Sequence, residues 1–123
     1  MAIAGKRILI VEKDEMVSEM LKDILPKMMP DTTEIIFAEN GGEAFRFFDQ
    51  TNRCPFDLVV TAVTIPVIDG IELIVLLKEL YPEMPIILMS GSGNPATHRA
   101  DLFIPKPFYV GKLKAAIDTL LKN

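Results

Sequence analysis

The sequence predicts an α/β domain in which a doubly wound sheet of five parallel strands is covered by helices. Three observations predict it. Five short runs are apolar without a break: Ile8–Val11, Ile35–Ala38, Leu58–Val60, Ile86–Met89 and Leu102–Ile104. Strands buried on both faces read this way, whereas strands with one wet face alternate. Apolar residues at helical spacing lie between most of these runs and after the last. The 123 residues are enough for one such domain with a single core.

The elements follow in order. After the first run, Met16, Val17, Met20, Leu21, Ile24 and Leu25 repeat as one face of a helix. Asp14 can cap it, and Pro26 is expected to kink or end it. After the second run, Asn40-Gly41-Gly42-Glu43 resembles a capping box and opens a helix over Ala44, Phe45, Phe47 and Phe48. After the third, Asp69-Gly70-Ile71-Glu72 opens another, with Ile74, Leu77 and Leu80 on its inner face. Between Ser90 and Leu102 lie only residues 91–101, while a crossover with its helix needs about 10–12 residues at minimum. Asn94-Pro95 can start a helix there, but only a shortened one of little more than a turn. Val110, Leu113, Ile117, Leu120 and Leu121 make the last helix, whose start at Tyr109-Val110-Gly111-Lys112 is poorly capped. Right-handed crossovers between parallel strands then give the doubly wound arrangement. There is no repeat, low-complexity segment or linker, so residues 1–123 are expected to form a single domain.

Charge and composition narrow the function. The net charge is −4, which argues against general nucleic-acid binding. The first 83 residues carry 15 acids and 8 bases, and the remaining 40 carry 2 acids and 5 bases. Such asymmetry reads first as solvated surface; if a partner docks on the later half, an acidic one fits better. No apolar run has the roughly 20 residues of a membrane span, and the opening residues lack the pattern of a secretory leader. Cys54 is the only cysteine, so no internal disulfide can form; a cytoplasmic location is expected.

In a sheet of this kind, ligands sit beyond the carboxyl ends of the central strands. The first strand delivers Glu12, Lys13 and Asp14 to that edge, the third Ala62, the fourth Ser90, and the fifth Lys106 within Pro105-Lys106-Pro107. Carboxylates, a hydroxyl and a lysine around one point suggest metal-assisted phosphoryl chemistry. Yet the third strand ends on a methyl group.

Here the sequence resembles the receiver domains of two-component response regulators. Lys6-Arg7-Ile8-Leu9-Ile10-Val11, Asp57-Leu58-Val59-Val60-Thr61, Ile65-Pro66-Val67-Ile68-Asp69-Gly70, Ile86-Ile87-Leu88-Met89-Ser90-Gly91 and Lys106-Pro107-Phe108 fall in that family's order and spacing. The resemblance implies a flavodoxin-like strand order, 2-1-3-4-5. It implies a phosphate-accepting aspartate at the end of the third strand, served by a histidine kinase. Two acids after the first strand would hold Mg²⁺. A Ser or Thr after the fourth strand, and a Lys before a cis proline, would contact the phosphoryl oxygens. Ser90 and Lys106 match, and Lys106-Pro107 is expected to be cis. The acidic pair has become Glu12-Lys13, and the acceptor position is Ala62. Phe103 stands at the aromatic switch position of the fifth strand, without a hydroxyl.

Alanine offers no nucleophile and no metal ligand. The resemblance therefore implies a degenerate receiver: no catalytic residue, a residual phosphoryl site of Glu12, Lys13, Thr64, Ser90 and Lys106, and only a weak metal remnant in Glu12 and Asp14. No cofactor is expected, with Mg²⁺ binding weak or lost; Lys13 or Lys106 would neutralise Glu12 in its place. The expected role is a non-enzymatic, phosphorylation-independent protein-interaction module. Its partner would be a histidine kinase, another response regulator or an output domain. Alternatives are a receiver with an unusual acceptor such as Thr61 or Thr64, an Asp-to-Ala engineered form, and a flavodoxin-like small-ligand binder.

Several residues also have plainer roles. Asp57 enters its strand, ~16 Å from the carboxyl edge at ~3.3 Å per residue. Ser90 can cap its own loop. His98 is expected to be exposed, and Met16, Met20, Met28 and Met29 to fill core. Gly91-Ser92-Gly93 is a weak phosphate-loop signal.

Overall fold

The computed structural model describes residues 5–48, 54–95 and 98–121. The strands are β1 (Arg7–Val11), β2 (Glu34–Ala38), β3 (Leu58–Ala62), β4 (Ile86–Ser90) and β5 (Leu102–Pro105). The helices are α1 (Glu15–Met28), α2 (Gly41–Arg46), α3 (Gly70–Leu80) and α4 (Val110–Leu121). All pairings are parallel and the sheet order is β2-β1-β3-β4-β5. This is the expected five-stranded flavodoxin-like order. Helix α1 lies against α4 and α2 against α3, and right-handed crossovers put the two pairs on opposite faces of the sheet. The central strands carry the core: Leu58, Val59, Val60 and Ile86 through Met89 are fully buried.

The helix starts obey their caps. Asp14 Oδ1 accepts from the Met16 and Val17 amides at 2.9 and 3.4 Å. Asn40 Oδ1 accepts from Glu43 N–H at 2.7 Å, and Asp69 Oδ1 from Glu72 N–H at 2.9 Å. Each supplies an acceptor to an amide that has no partner inside the helix. The reciprocal arm of the second cap differs from a capping box. Glu43 Oε1 accepts from Glu39 N–H at 2.8 Å, one residue before the cap.

Other details depart from the sequence pattern. Helix α1 continues through Pro26 to Met28, because so near the end the proline forfeits a single ladder bond. Helix α2 stops at Arg46; Phe47 caps it, and Phe48 is buried against Phe56 and Tyr81. On α3 the inner face is Leu73, Ile74 and Leu77, while Leu80 is 51% exposed. Leu80 is the helix's last residue, and the cap at Tyr81 follows it. No helix joins β4 to β5 among the described residues; the shortened helix expected from Asn94-Pro95 falls in part on residues 96 and 97, which lie outside them. The residues leading into β5 are held by side chains. Lys78 Nζ, buried at the end of α3, donates to Met84 O and Asp101 Oδ2, both at 2.8 Å, and Asp101 Oδ2 also accepts from Ile86 N–H. His98 is half-buried rather than simply exposed. Its Nδ1 accepts from Ala100 N–H at 3.2 Å, its Nε2 lies 2.8 Å from Asn94 Oδ1, and its ring lies beside Phe103.

Candidate functional site

The loop after β3 is a tight arc. Gly70 N–H donates to Val63 O at 2.8 Å, and Gly41 N–H, at the start of α2, donates to Pro66 O at 3.0 Å. A Cβ on Gly70 would stand 2.1 Å from Ala62 O, so only glycine lets α3 begin this close to the strand end. Val67, at the outer bend, has φ 73°. The arc thereby holds Ala62 and Thr64 at the carboxyl edge of the sheet.

Glu12 follows β1 directly. Its amide donates to Ala38 O at 3.0 Å, which fixes the backbone, and the residue is only 2% exposed. The register pairs Val11 with Thr61, so Glu12 continues β1 beside Ala62. Both carboxylate oxygens are used. Lys106 Nζ donates to Oε1 at 2.5 Å, and Asp14 N–H donates to Oε2 at 3.0 Å. The Lys106 amide donates to Ser90 O at 2.8 Å, which ties its backbone to the end of β4. The Lys106–Pro107 peptide is cis. A buried carboxylate is tolerated when it is paired and hydrogen-bonded. Of the two lysines considered for this task, Lys106 performs it. Lys13 is exposed and makes no ion pair among the described residues.

The other residues fall around this pair. Ala62 is 2% exposed and presents only its methyl group. Thr61 is fully buried and its hydroxyl donates to Ala62 O at 3.0 Å, while Thr64 is exposed. Ser90 is 5% exposed, and its Oγ accepts from Ser92 N–H at 3.1 Å, so the hydroxyl caps its own loop. Phe103 sits half-buried on β5. Asp57 lies at the opposite edge, where its carboxylate accepts from Arg7 N–H at 2.8 Å. The geometry therefore brings Glu12, Asp14 and Lys106 into one hydrogen-bonded unit, with Ser90 joined to it through the backbone.

As a metal centre the donor set is poor. Mg²⁺ takes near-octahedral oxygen ligands. Here Glu12 is engaged on both oxygens, Asp14 Oδ1 is occupied by the α1 cap, and Ala62 has no oxygen on its side chain. Among the described residues no cluster of three or more His, Cys, Asp or Glu side chains is arranged for a metal.

Two features escaped the sequence pattern. Met16 and Met28, expected in the core, are 83% and 39% exposed, because they lie in the first and last turns of α1. The Lys78–Asp101 pair joins residues that no motif connects.

Comparison with known proteins places this geometry. The family model described as the response regulator receiver domain matches residues 8–118. Chemotaxis protein CheY of Thermotoga maritima is 31% identical over 124 residues, covering 96% of this chain and 99% of that protein. Transcriptional regulatory protein NatR of Bacillus subtilis is 31% identical over 110 residues, covering 85% of this chain and 45% of NatR. The chain thus spans about half the length of such regulators. Among solved structures, response regulator protein TrrA of Thermotoga maritima, in complex with Mg²⁺ and BeF, superposes with a TM-score of 0.75 at 31% identity, covering 94% of this chain and 99% of that one. No helix among the described residues is long and apolar enough to cross a membrane. With a family match across nearly all of the sheet and helices, the chain belongs to the response regulator receiver domains of two-component signal transduction.

Proposed function

We propose that this chain is a receiver domain that does not accept phosphate and works as a phosphorylation-independent protein-interaction module. The observation that carries the proposal is Ala62 at the end of β3, where the family resemblance calls for the phosphate-accepting aspartate. A methyl group has no lone pair to attack phosphorus, so no aspartyl phosphate can form there. The Glu12–Lys106 pair supports the same reading. In phosphoryl transfer a lysine stabilises oxygens that gain charge. Here the lysine is committed to a buried carboxylate 2.5 Å away.

Mg²⁺ fits this donor set badly, and we propose that it binds weakly or not at all. Glu12 and Asp14 are the remnant of a metal site; Thr64 and Ser90, with Lys13 and Lys106, are that of a phosphoryl site, and Phe103 is the silent switch aromatic. The chain is a single receiver unit with no catalysis of its own. Its partner is a protein: a histidine kinase, another response regulator or an output domain. We place it in the cytoplasm. A switch without a trigger holds one state, so regulation falls to abundance or to a second partner.

The test is intact mass after incubation with acetyl phosphate and Mg²⁺, with Ala62→Asp run in parallel. The expected result is no phosphoryl adduct on the native chain. A labile adduct on the native chain would overturn the proposal and direct attention to Thr61, Thr64 and Asp14.

A further inference from the structure

His98 is the chain's one histidine, and nothing in the proposed function uses it. Both of its ring nitrogens are engaged. Nδ1 lies 3.2 Å from the Ala100 amide nitrogen, and Nε2 lies 2.8 Å from Asn94 Oδ1. A backbone amide can only donate, so Nδ1 carries the lone pair, and the proton of the neutral ring sits on Nε2. That proton meets a suitable partner, because Asn94 Oδ1 only accepts. The two bonds together select the neutral Nε2–H tautomer over the other tautomer and over the cation.

A proton added at Nδ1 would face the Ala100 N–H, donor against donor, and that bond is lost. The Nε2–H bond to Asn94 Oδ1 survives and strengthens, because its donor is then charged. The surroundings hold no counter-charge on the ring. It packs beside Phe103 of β5 with centroids 6.4 Å apart, and β5 itself carries no charged residue. Past the end of β5, Lys106 is paired with Glu12. The flanking charges are Arg99, which is exposed, and Asp101, whose Oδ2 is held by Lys78 Nζ of α3 and Ile86 N–H of β4.

The chain around His98 is free to respond. Gly93 has φ 95°, a left-handed turn that glycine takes without strain. Asp101 is the fixed end, since its amide donates to Ile86 O at 2.8 Å. Among the described residues between Gly93 and Asp101, the two bonds to His98 are the only hydrogen bonds.

We infer that His98 is a proton-operated latch on the face of β5. Neutral, it ties Asn94 to Ala100 and lays its ring beside Phe103. Protonated, it keeps Asn94 and releases Ala100, so the residues leading into β5 loosen around that aromatic. Histidine changes charge between about pH 5 and 8, where the chain's carboxylates and lysines at the surface keep theirs. The latch goes beyond the reading above: it gives a receiver without a phosphate acceptor a second kind of input, beside abundance or a partner. Protonation of a histidine that holds a segment in place is a local bonding change with a wider readout.

The test is a proton titration of the ¹⁵N-labelled chain from about pH 8 to about pH 5, the span over which histidine ionises. Long-range proton–nitrogen correlations report the ring, and amide spectra report the backbone. At the alkaline end the ring should show the Nε2–H tautomer. On acidification the Ala100 amide should shift with the same midpoint as the ring, and the Phe103 ring signals should move with it. Ala100 exchange protection, corrected for the intrinsic rate, should fall about fivefold, while the Asp101 amide, bonded to Ile86 O, keeps its own. His98→Gln, which does not titrate, should flatten the Ala100 and Phe103 profiles. An Nδ1–H tautomer at the alkaline end would overturn the inference. So would a ring midpoint with an unmoved Ala100 amide, or the same Ala100 profile in His98→Gln. Loss of protection at Asp101 together with Ala100 would also overturn it, because acid would then be unfolding the sheet edge rather than opening a latch. The titration contains no phosphodonor, so its failure leaves the module reading intact, and a phosphoryl adduct on the native chain would defeat that reading without touching the latch.

Discussion

Lys106 Nζ stands 2.5 Å from Glu12 Oε1 and joins the end of β1 to the end of β5 across 94 residues of sequence. The pair is asymmetric: the Glu12 side chain is 1% exposed and that of Lys106 22%. The cost of breaking it should therefore depend on which partner is removed. Lys106→Met leaves a buried carboxylate facing only an amide, and the expected loss is about 2–4 kcal/mol, at or below the usual range because water can reach the vacated position. Glu12→Gln leaves a lysine that can turn to solvent, and about 1–2 kcal/mol is expected. The double variant should recover most of the Lys106→Met loss. Urea unfolding of the four proteins checks this; additive losses would mean that the pair is not coupled.

The arc after β3 gives opposite predictions for two neighbouring positions. A Cβ on Gly70 would stand 2.1 Å from the Ala62 carbonyl oxygen, a backbone atom with no freedom to yield. Gly70→Ala should destabilise the chain by about 2–3 kcal/mol, in the upper range for overpacking. Val67 has φ 73° and is 78% exposed. A left-handed conformation costs a branched residue roughly 1–2 kcal/mol, and glycine would relieve it against an entropy loss of roughly 0.5–1 kcal/mol. Val67→Gly should therefore stabilise by about 0.5 kcal/mol. Thermal unfolding of both variants reads the two signs.

Most of the sheet was legible because its strands are continuous apolar runs, and a parallel sheet is the economical way to bury both faces of such strands. The caps were legible too, since Asp14, Asn40 and Asp69 are short acceptors placed where a helix must begin. What the pattern missed depends on tertiary distance. Leu80 and Met16 sit at helical positions that look apolar-inward, but each lies in a terminal turn, beyond the reach of the sheet. His98 looked isolated in sequence because its partners are the Asn94 side chain and the Ala100 backbone amide, which no metal or catalytic motif would single out. At the site, residue types indicated that a lysine should neutralise Glu12; the choice of Lys106 over Lys13 followed only from where β5 ends.

The residues leading into β5 depend on Asp101. Its Oδ2 accepts from Lys78 Nζ and from Ile86 N–H, each at 2.8 Å. The Lys78 side chain is 8% exposed and that of Asp101 39%, so solvent screens one end of the pair and not the other. Asp101→Ala leaves a buried ammonium with Met84 O in place of its charged partner and a strand amide without its acceptor, and about 2 kcal/mol is expected after that screening. Asp101→Asn keeps an acceptor oxygen and should lose about 1 kcal/mol. Hydrogen exchange should show the loss first at Ile86, whose amide protection depends on that oxygen. Unchanged exchange there would assign the stability to apolar packing alone.

Cys54 lies at the amino edge, far from the candidate site. The residue is exposed, yet its Sγ lies 3.1 Å from Phe56 O and 3.3 Å from Met84 Sδ. Burial of the sulfur pushes its pKa above the usual thiol value and outweighs the opposing bond to Phe56 O, with the nearby Asp57 carboxylate adding to the rise. Since the thiolate is the nucleophile, iodoacetamide should label Cys54 more slowly in the folded chain than in the urea-unfolded chain at mildly alkaline pH. The linkage has one sign. A folded-state pKa raised above the unfolded value gives stability that is complete below the unfolded pKa and is lost as pH rises through the folded one. Native Cys54 should therefore lose stability at strongly alkaline pH relative to Cys54→Ser, whose hydroxyl does not titrate there. Parallel pH profiles of the two proteins in that range would show that the sulfur is effectively in water.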